Sequence, residues 1–316
     1  MITGIGTPSA QSRIPRIFSS VSRCVVNAGS GLRFPAAWLD APAAGCDAGG
    51  ERDAMGWIGK LILGAAAIYA ALVAVMALAQ TALLFPRWAM GPSPTLPAGA
   101  ERLEVARPGG VVLVGHRLRP AEPDPAAPLL LGFGGNAWDG AAVARYLAEV
   151  FPDHEVVAFH YRGYGPSTGR PSAAALAGDA VAIFDHLAAD PVVVVGFSIG
   201  AGPAARLAAE RPVAGVVLVT AFDSLTELAR THYPWAPVRL LLRHRMEPAA
   251  DLARARVPVA LITAARDEII PARRTEALRA VLPALVFDET IPARHNDLYG
   301  REDFIRALRA ALAALG

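Results

Sequence analysis

The stretch PVVVVGFSIGAGPAARLAAERP, Pro191–Pro212, joins an apolar run to a glycine cluster with one serine in its middle. Four consecutive valines are typical of a strand that helices cover on both faces, and the alanine-rich continuation has helical spacing. Between them, Gly196–Gly200 reads GFSIG and fits the G-x-S-x-G pattern of a strained strand-to-helix turn. Such a turn projects the serine hydroxyl above the sheet, and the flanking glycines leave room for it. Ser198 is therefore the candidate nucleophile.

A rival interpretation is a dinucleotide-binding loop. Gly200–Ala205 also satisfies G-x-G-x-x-A, and Asp223 follows the next strand at a plausible distance for a ribose contact. A phosphate loop needs its first glycine at the strand end and its second two residues later. After Gly196 that second place holds Ser198, so the register disfavours phosphate binding, and Gly202 is predicted to serve helix packing instead.

A serine nucleophile needs an acid and a histidine later in the chain, in that order. Asp267, in LITAARDEIIP, lies just beyond a predicted strand, 69 residues after the serine. His295, in IPARHNDLYG, is the one histidine of seven that follows this acid. We expect His295 to act as general base and Asp267 to fix its tautomer. Asp223, after the preceding strand, is the alternative acid.

The loop after the third predicted strand is the candidate source of an oxyanion donor. It lies in LLLGFGGNAWDG, Leu129–Gly140, where Gly134 and Gly135 allow close backbone approach. The N–H of Asn136 is the candidate donor from this loop. The second candidate is the N–H of Ile199, where we expect the helix after the serine to begin and to present unpaired N–H groups.

Strand-like and helix-like segments alternate through the rest of the chain. Eight strand-like segments lie between Arg102 and Ile291; three come first, and later ones are separated by helices. This order predicts a three-layer α/β fold with a mostly parallel sheet, helices on both faces and an antiparallel entry. Residues 224–256 interrupt the rhythm and are the candidate cap within a catalytic domain over residues 86–316.

The N-terminal part of the chain has a different character. Residues 1–54 are rich in Gly, Ser, Ala and Pro without an apolar period, which indicates a disordered tail. An alternative that composition leaves open is that translation starts at Met55.

An uncharged segment follows this tail. Leu61–Ala79 holds nineteen residues without a charge, so residues 55–85 are predicted to form a transmembrane anchor that meets the bilayer through 61–85. A cleaved signal peptide is the rival interpretation, because Ala77–Ala79 matches an A-x-A cleavage site. The anchor is favoured because the apolar run continues past that site. Arg52 and Lys60 precede the run and Arg87 follows it, which favours a catalytic domain outside the cytoplasm.

Charge and cysteine usage exclude other classes of function. The net charge is +2 and no basic run occurs, so the chain lacks the electrostatic footprint of a nucleic-acid partner. Cys24 and Cys46 both precede the predicted domain, which excludes a disulfide framework or a cysteine metal site inside it. The sequence implies neither a metal nor an organic cofactor.

From about Phe85 onward the chain resembles the α/β-hydrolase superfamily. It is most similar to the membrane-anchored serine hydrolases that include lysophospholipase, monoacylglycerol-lipase-like and depalmitoylase members. The resemblance lies in GFGGNAWD, YRGYGPSTGRPS (Tyr161–Ser172), GFSIGAG, ARDEIIP and HND. Two departures stand out: Gly134 replaces the usual histidine of the oxyanion loop, and TAARD lacks the glycine that often precedes the acid.

These observations predict a serine hydrolase that cleaves an ester or thioester of a lipid or small acyl substrate through an acyl-enzyme. Tyr233, Trp235 and the leucines of the cap region motivate the lipid hypothesis, although such residues also pack cores. Two alternatives are a catalytically silent binding protein with the same fold, and an acyltransferase that uses the same residues.

Overall fold

The computed structural model describes residues 49–124 and 126–316, with side chains from residue 56 onward. The tail expected over residues 1–54 lies outside the described residues as far as residue 48. Leu61–Gly316 forms one compact unit.

A single long helix, α1, spans Gly49–Leu84. It begins before the expected residue 55, because extending a formed helix adds one hydrogen bond for each residue fixed. Its stretch Gly56–Leu84 is long and apolar enough to cross a membrane, with a mean hydropathy of 2.5. At about 1.5 Å per residue these 29 residues exceed the hydrocarbon core, which is about 30 Å thick. A candidate membrane helix is therefore present.

The sheet has eight strands in the order β1-β2-β4-β3-β5-β6-β7-β8. β1 pairs antiparallel with β2 and β2 with β4, whereas all later pairs are parallel. This confirms the predicted mostly parallel sheet with an antiparallel entry. The strands are β1 Glu101–Arg107, β2 Val111–Leu118, β3 Leu129–Phe133, β4 Val156–Phe159, β5 Val192–Phe197, β6 Gly215–Val219, β7 Val259–Ala264 and β8 Leu285–Ile291.

Helices cover both faces of the sheet. α2 and α9 pack on one face, and α3, α4, α7 and α8 bury apolar side chains against the other. The central strands β3 to β6 are buried along their whole length, which explains why their sequences are continuous apolar runs rather than alternating ones. The helices are α2 Gly140–Val150, α3 Ala173–Leu187, α4 Ala201–Glu210, α5 Leu225–His232, α6 Val238–Leu241, α7 Pro248–Ala255, α8 Ala272–Arg279 and α9 Glu302–Ala313.

The segment expected to form a cap, residues 224–256, contains α5, α6 and α7 between β6 and β7. Leu225 and Leu228 of α5 join Ile199 and the buried Phe85 in a third apolar cluster, separate from the two sheet faces. Leu84, the last residue of α1, packs against this cluster. The end of the apolar helix is therefore part of the packed structure around the carboxyl end of β5.

Candidate active site

The turn after β5 holds Ser198 in a left-handed backbone conformation, with φ of 52°. Such a conformation is strained for a residue with a side chain and persists only where its surroundings enforce it. A Cβ at Gly196 would lie 2.9 Å from the Gly200 carbonyl oxygen, and one at Gly200 would overlap the carbonyl oxygens of Phe133 and Gly134. Only glycine fits at these two positions.

The helix after the serine begins differently from the expectation. Ser198–Gly200 form a 3-10 turn, and the α-helix starts at Ala201 rather than at Ile199. The tighter turn follows from the left-handed serine, which cannot begin a regular α-helix. A Cβ at Gly202 would lie 2.5 Å from Met246 Sδ, so this glycine packs inside the protein, as expected, and does not face a phosphate.

Ser198, His295 and Asp267 come together at the carboxyl edge of the sheet. His295 Nε2 lies 3.1 Å from Ser198 Oγ, and its Nδ1 lies 2.9 and 2.8 Å from the two carboxylate oxygens of Asp267. The histidine and aspartate side chains are only 5% and 6% exposed. Because the loops after β5, β7 and β8 meet at one edge, residues far apart in sequence form one hydrogen-bonded chain.

The loop after β7 holds the Asp267 carboxylate in place. Its Oδ1 accepts hydrogen bonds from the backbone N–H groups of Ile269, at 2.9 Å, and Ile270, at 2.6 Å. The backbone N–H of His295 donates to Glu268 Oε2 at 3.4 Å. These bonds fix the orientation of the carboxylate and tie the two loops together.

The alternative acid, Asp223, does not reach this chain. Its carboxylate accepts a hydrogen bond from Arg274 Nη1 at 3.2 Å. Burial raises the pKa of Asp223, and the arginine offsets part of that effect. Among the described residues, Asp223 is thus paired with the α8 guanidinium, whereas Asp267 is the carboxylate that contacts His295 Nδ1.

Asn136 and Ile199 both line one cavity with Ser198 and His295. Among the described residues, the Asn136 N–H makes no hydrogen bond to a backbone carbonyl, and Ile199 lies in a first turn, where N–H groups lack helical acceptors. A Cβ at Gly135 would lie 3.7 Å from Ser198 Cβ, so the loop runs directly against the serine. The two predicted donors thus lie on the serine's cavity.

Tyr161 is a contact of this loop that the sequence analysis missed. Its hydroxyl donates to the Gly134 carbonyl oxygen at 2.6 Å. Burial raises the pKa of Tyr161 well above its usual value, so the hydroxyl remains protonated and able to donate. The sequence signal for this contact was Gly134, which stands where related sequences usually have histidine. Without that histidine side chain, another residue must support the loop.

The cavity above Ser198 has a volume of about 460 Å³. Its walls are mostly apolar and include Leu84, Phe222, Leu225, Leu228, Ile269 and Ile270. Within the described residues, no cluster of three or more His, Cys, Asp or Glu side chains could hold a metal ion. Ser198 and His295 therefore face a cavity whose walls are mostly apolar.

Comparisons with known proteins identify the family of this chain. Residues 129–246 match a family described as the alpha/beta hydrolase fold. The chain is 33% identical over 271 residues to the uncharacterized protein Rv2307c of Mycobacterium tuberculosis. This alignment covers 77% of this chain and 96% of that protein. The chain belongs to the α/β-hydrolase superfamily. The resemblance seen in its sequence is confirmed.

Other relatives of this hydrolase point to its ABHD-like branch. It is 29% identical to the bem46 protein of Schizosaccharomyces pombe, over 54% of this chain and 62% of that protein. It is 33% identical to the lysophosphatidylserine lipase ABHD12 of Gallus gallus, over 33% of this chain and 31% of that protein. Among solved structures, a bacterial membrane phospholipase A matches with a TM-score of 0.54 at 15% identity, over 84% of this chain and 99% of that one. The fold and these relatives support hydrolase activity.

Proposed function

We propose that this hydrolase cleaves carboxylic esters or thioesters by covalent catalysis at Ser198, with His295 as base and Asp267 as orienting acid. The observation that carries the proposal is the unbroken contact from Ser198 Oγ through both ring nitrogens of His295 to the Asp267 carboxylate. With Asp267 accepting the Nδ1 proton, Nε2 is the free base that faces the serine hydroxyl.

The reaction proceeds in two halves. His295 Nε2 takes the hydroxyl proton as Ser198 Oγ bonds to the carbonyl carbon, and the carbonyl π electrons move to oxygen. The N–H groups of Ile199 and Asn136 stabilise that oxyanion. Collapse breaks the ester C–O bond, and the imidazolium protonates the leaving alkoxide. Water, deprotonated by His295, then attacks the acyl-enzyme, and Ser198 Oγ leaves with the returned proton.

The proposed substrate is a lipid acyl ester. Support comes from the apolar cavity walls and from the lipase and phospholipase relatives named above. A buried apolar wall favours a hydrocarbon chain by about 25 cal/mol for each Å² removed from water. The relative named a lysophosphatidylserine lipase aligns over only 31% of its own length, so the proposal extends to lipid acyl esters as a class.

We further propose that α1 is a retained single-pass anchor, with the catalytic domain outside the cytoplasm. Tyr69 Oη donates to the Trp235 carbonyl at 2.9 Å, and Arg243 donates to the Ala77 carbonyl at 3.2 Å. Cleavage after Ala79 would remove these partners of the cap, which argues against a signal peptide. The proposed side of the membrane rests on the positive charges that flank the helix: Arg52 and Lys60 precede it and Arg87 follows it, which places the N-terminal end inside.

The test is hydrolysis of p-nitrophenyl esters by the purified full chain in detergent. Ser198→Ala should lower kcat by about 10⁴-fold or more. Ser224→Ala is the matched control: this buried serine caps α5, so its loss costs about 1 kcal/mol of stability but should spare activity. Equal activity in wild type and Ser198→Ala would reject the proposal.

A further inference from the structure

A second apolar cavity lies between the C-terminal half of α1 and the cap. Its volume is about 170 Å³, which is room for about five methylene-sized groups at roughly 30 Å³ each. Val73, Met76 and Ala77 line it from α1, and Tyr233, Val238 and Leu241 line it from the cap. It is distinct from the cavity above Ser198.

The amide group in its wall is already engaged. Gln80 is the one amide side chain that lines the cavity, and no charged residue does so within the described part of the chain. Gln80 Nε2 donates to the carbonyl oxygens of Ala77, at 2.5 Å, and Leu241, at 3.1 Å. Its Oε1 accepts from the Arg243 N–H at 2.7 Å. Because these groups are satisfied, the cavity suits an apolar ligand and offers a polar one no amide partner.

The two cavities adjoin. Leu84 lines both, and Leu228 and Ala229, neighbours on α5, line the first and the second respectively. Leu84 is therefore the residue that a hydrocarbon chain attached to a carbonyl at Ser198 would pass to reach the second cavity. The rim residues Leu83, Tyr233 and Leu241 are exposed and apolar or aromatic, which suits contact with lipid rather than with water.

We propose that this second cavity binds the distal part of the hydrocarbon chain of the acyl substrate. The inference rests on the proposed function, since it takes the reacting carbonyl to lie at Ser198. It makes α1 one wall of a substrate-binding site as well as an anchor, and it assigns a long-chain acyl ester as the preferred substrate.

The test is a chain-length series of p-nitrophenyl esters from butyrate to laurate, with the full chain in detergent micelles. Ala77→Trp fills the cavity from α1, and Ala236→Trp fills it from the cap. The matched control is Ala74→Trp, on the same helix one turn earlier, where the side chain is exposed and outside the cavity. Fluorophosphonate labelling of each variant reports whether the Ser198 site is folded.

In the wild type, kcat/KM should rise about fourfold for each methylene that enters. In Ala77→Trp and Ala236→Trp the laurate-to-butyrate ratio should fall at least about 15-fold, the effect of excluding two of the roughly five methylenes at about fourfold each. Ala74→Trp should keep the wild-type ratio. Labelled variants at Ala77 and Ala236 that also keep this ratio would overturn the inference but leave the proposed function intact. A wild type that cleaves no ester would overturn both.

Discussion

Replacing Tyr161 with phenylalanine tests how the oxyanion loop is supported. The change removes the hydroxyl that donates to the Gly134 carbonyl at 2.6 Å and adds no volume. An acceptor left unpaired in a buried site costs about 1–3 kcal/mol. If that cost falls on the transition state, it corresponds to roughly a 5- to 150-fold loss of rate, at about 1.4 kcal/mol for each factor of ten.

We expect kcat to fall about 10- to 100-fold with little change in KM, because Gly134 precedes the proposed donor loop and Asn136 contacts the oxyanion only as it forms. The loss should stay below the roughly 100- to 1000-fold effect of deleting a donor, since the Asn136 N–H is displaced and not removed.

The assay is p-nitrophenyl butyrate hydrolysis, paired with urea unfolding. Tyr146→Phe is the matched control, because that hydroxyl also donates to a backbone carbonyl, of Tyr299 at 3.1 Å. It should lose similar stability but keep kcat within about threefold, the scale of a small indirect effect. If Tyr161→Phe also keeps kcat within that range while it loses stability, the hydroxyl is structural and the reasoning fails.

Three further outcomes follow from the same geometry. Asp267→Asn should lower kcat about 10⁴-fold, because an amide favours the wrong tautomer of His295, whereas Asp223→Asn should leave kcat near wild type in the same assay. Burial acts to raise the pKa of Asp139, but the His160 ring, whose Nδ1 lies 3.3 Å from Oδ2, and the hydrogen bond from Ser93 outweigh it and lower that pKa to about 2. Its stabilising effect is therefore present above its unfolded pKa of about 3.9 and is lost as pH falls toward 2, so urea unfolding of Asp139→Asn should show a weaker acid dependence. Gly200→Ala should destabilise the fold by about 3 kcal/mol or more, because its methyl overlaps two carbonyl oxygens. Gly202→Ala should lose less stability in urea unfolding, because the atoms nearest its methyl belong to the side chain of Met246 and not to the backbone; equal losses would contradict this.

Local sequence signals predicted much of the fold. The eight strands were recognisable because sheet residues buried on both faces must be apolar throughout, and the order of strands and helices then constrains the sheet. The sequence also predicted that Ser198, Asp267 and His295 would meet, since parallel strands end at one edge.

Other features depend on contacts that spacing does not encode. The bond from Tyr161 to Gly134 joins the loop after β4 to the loop after β3, and neither residue's neighbours specify the partner. The sequence also did not show that α1 residues line both cavities. An apolar helix has the same composition whether it faces lipid or protein. The start of α4 was misplaced because the strained serine turn overrides helix propensity.

The central claim is that Ser198 is the nucleophile. The most direct measurement is fluorophosphonate labelling of the purified full chain, followed by mass mapping of the modified peptide. The account predicts one adduct on Ser198, lost in Ser198→Ala and strongly slowed in His295→Ala, where the base is removed. No adduct on active, folded protein, or an adduct that persists in Ser198→Ala, would contradict it.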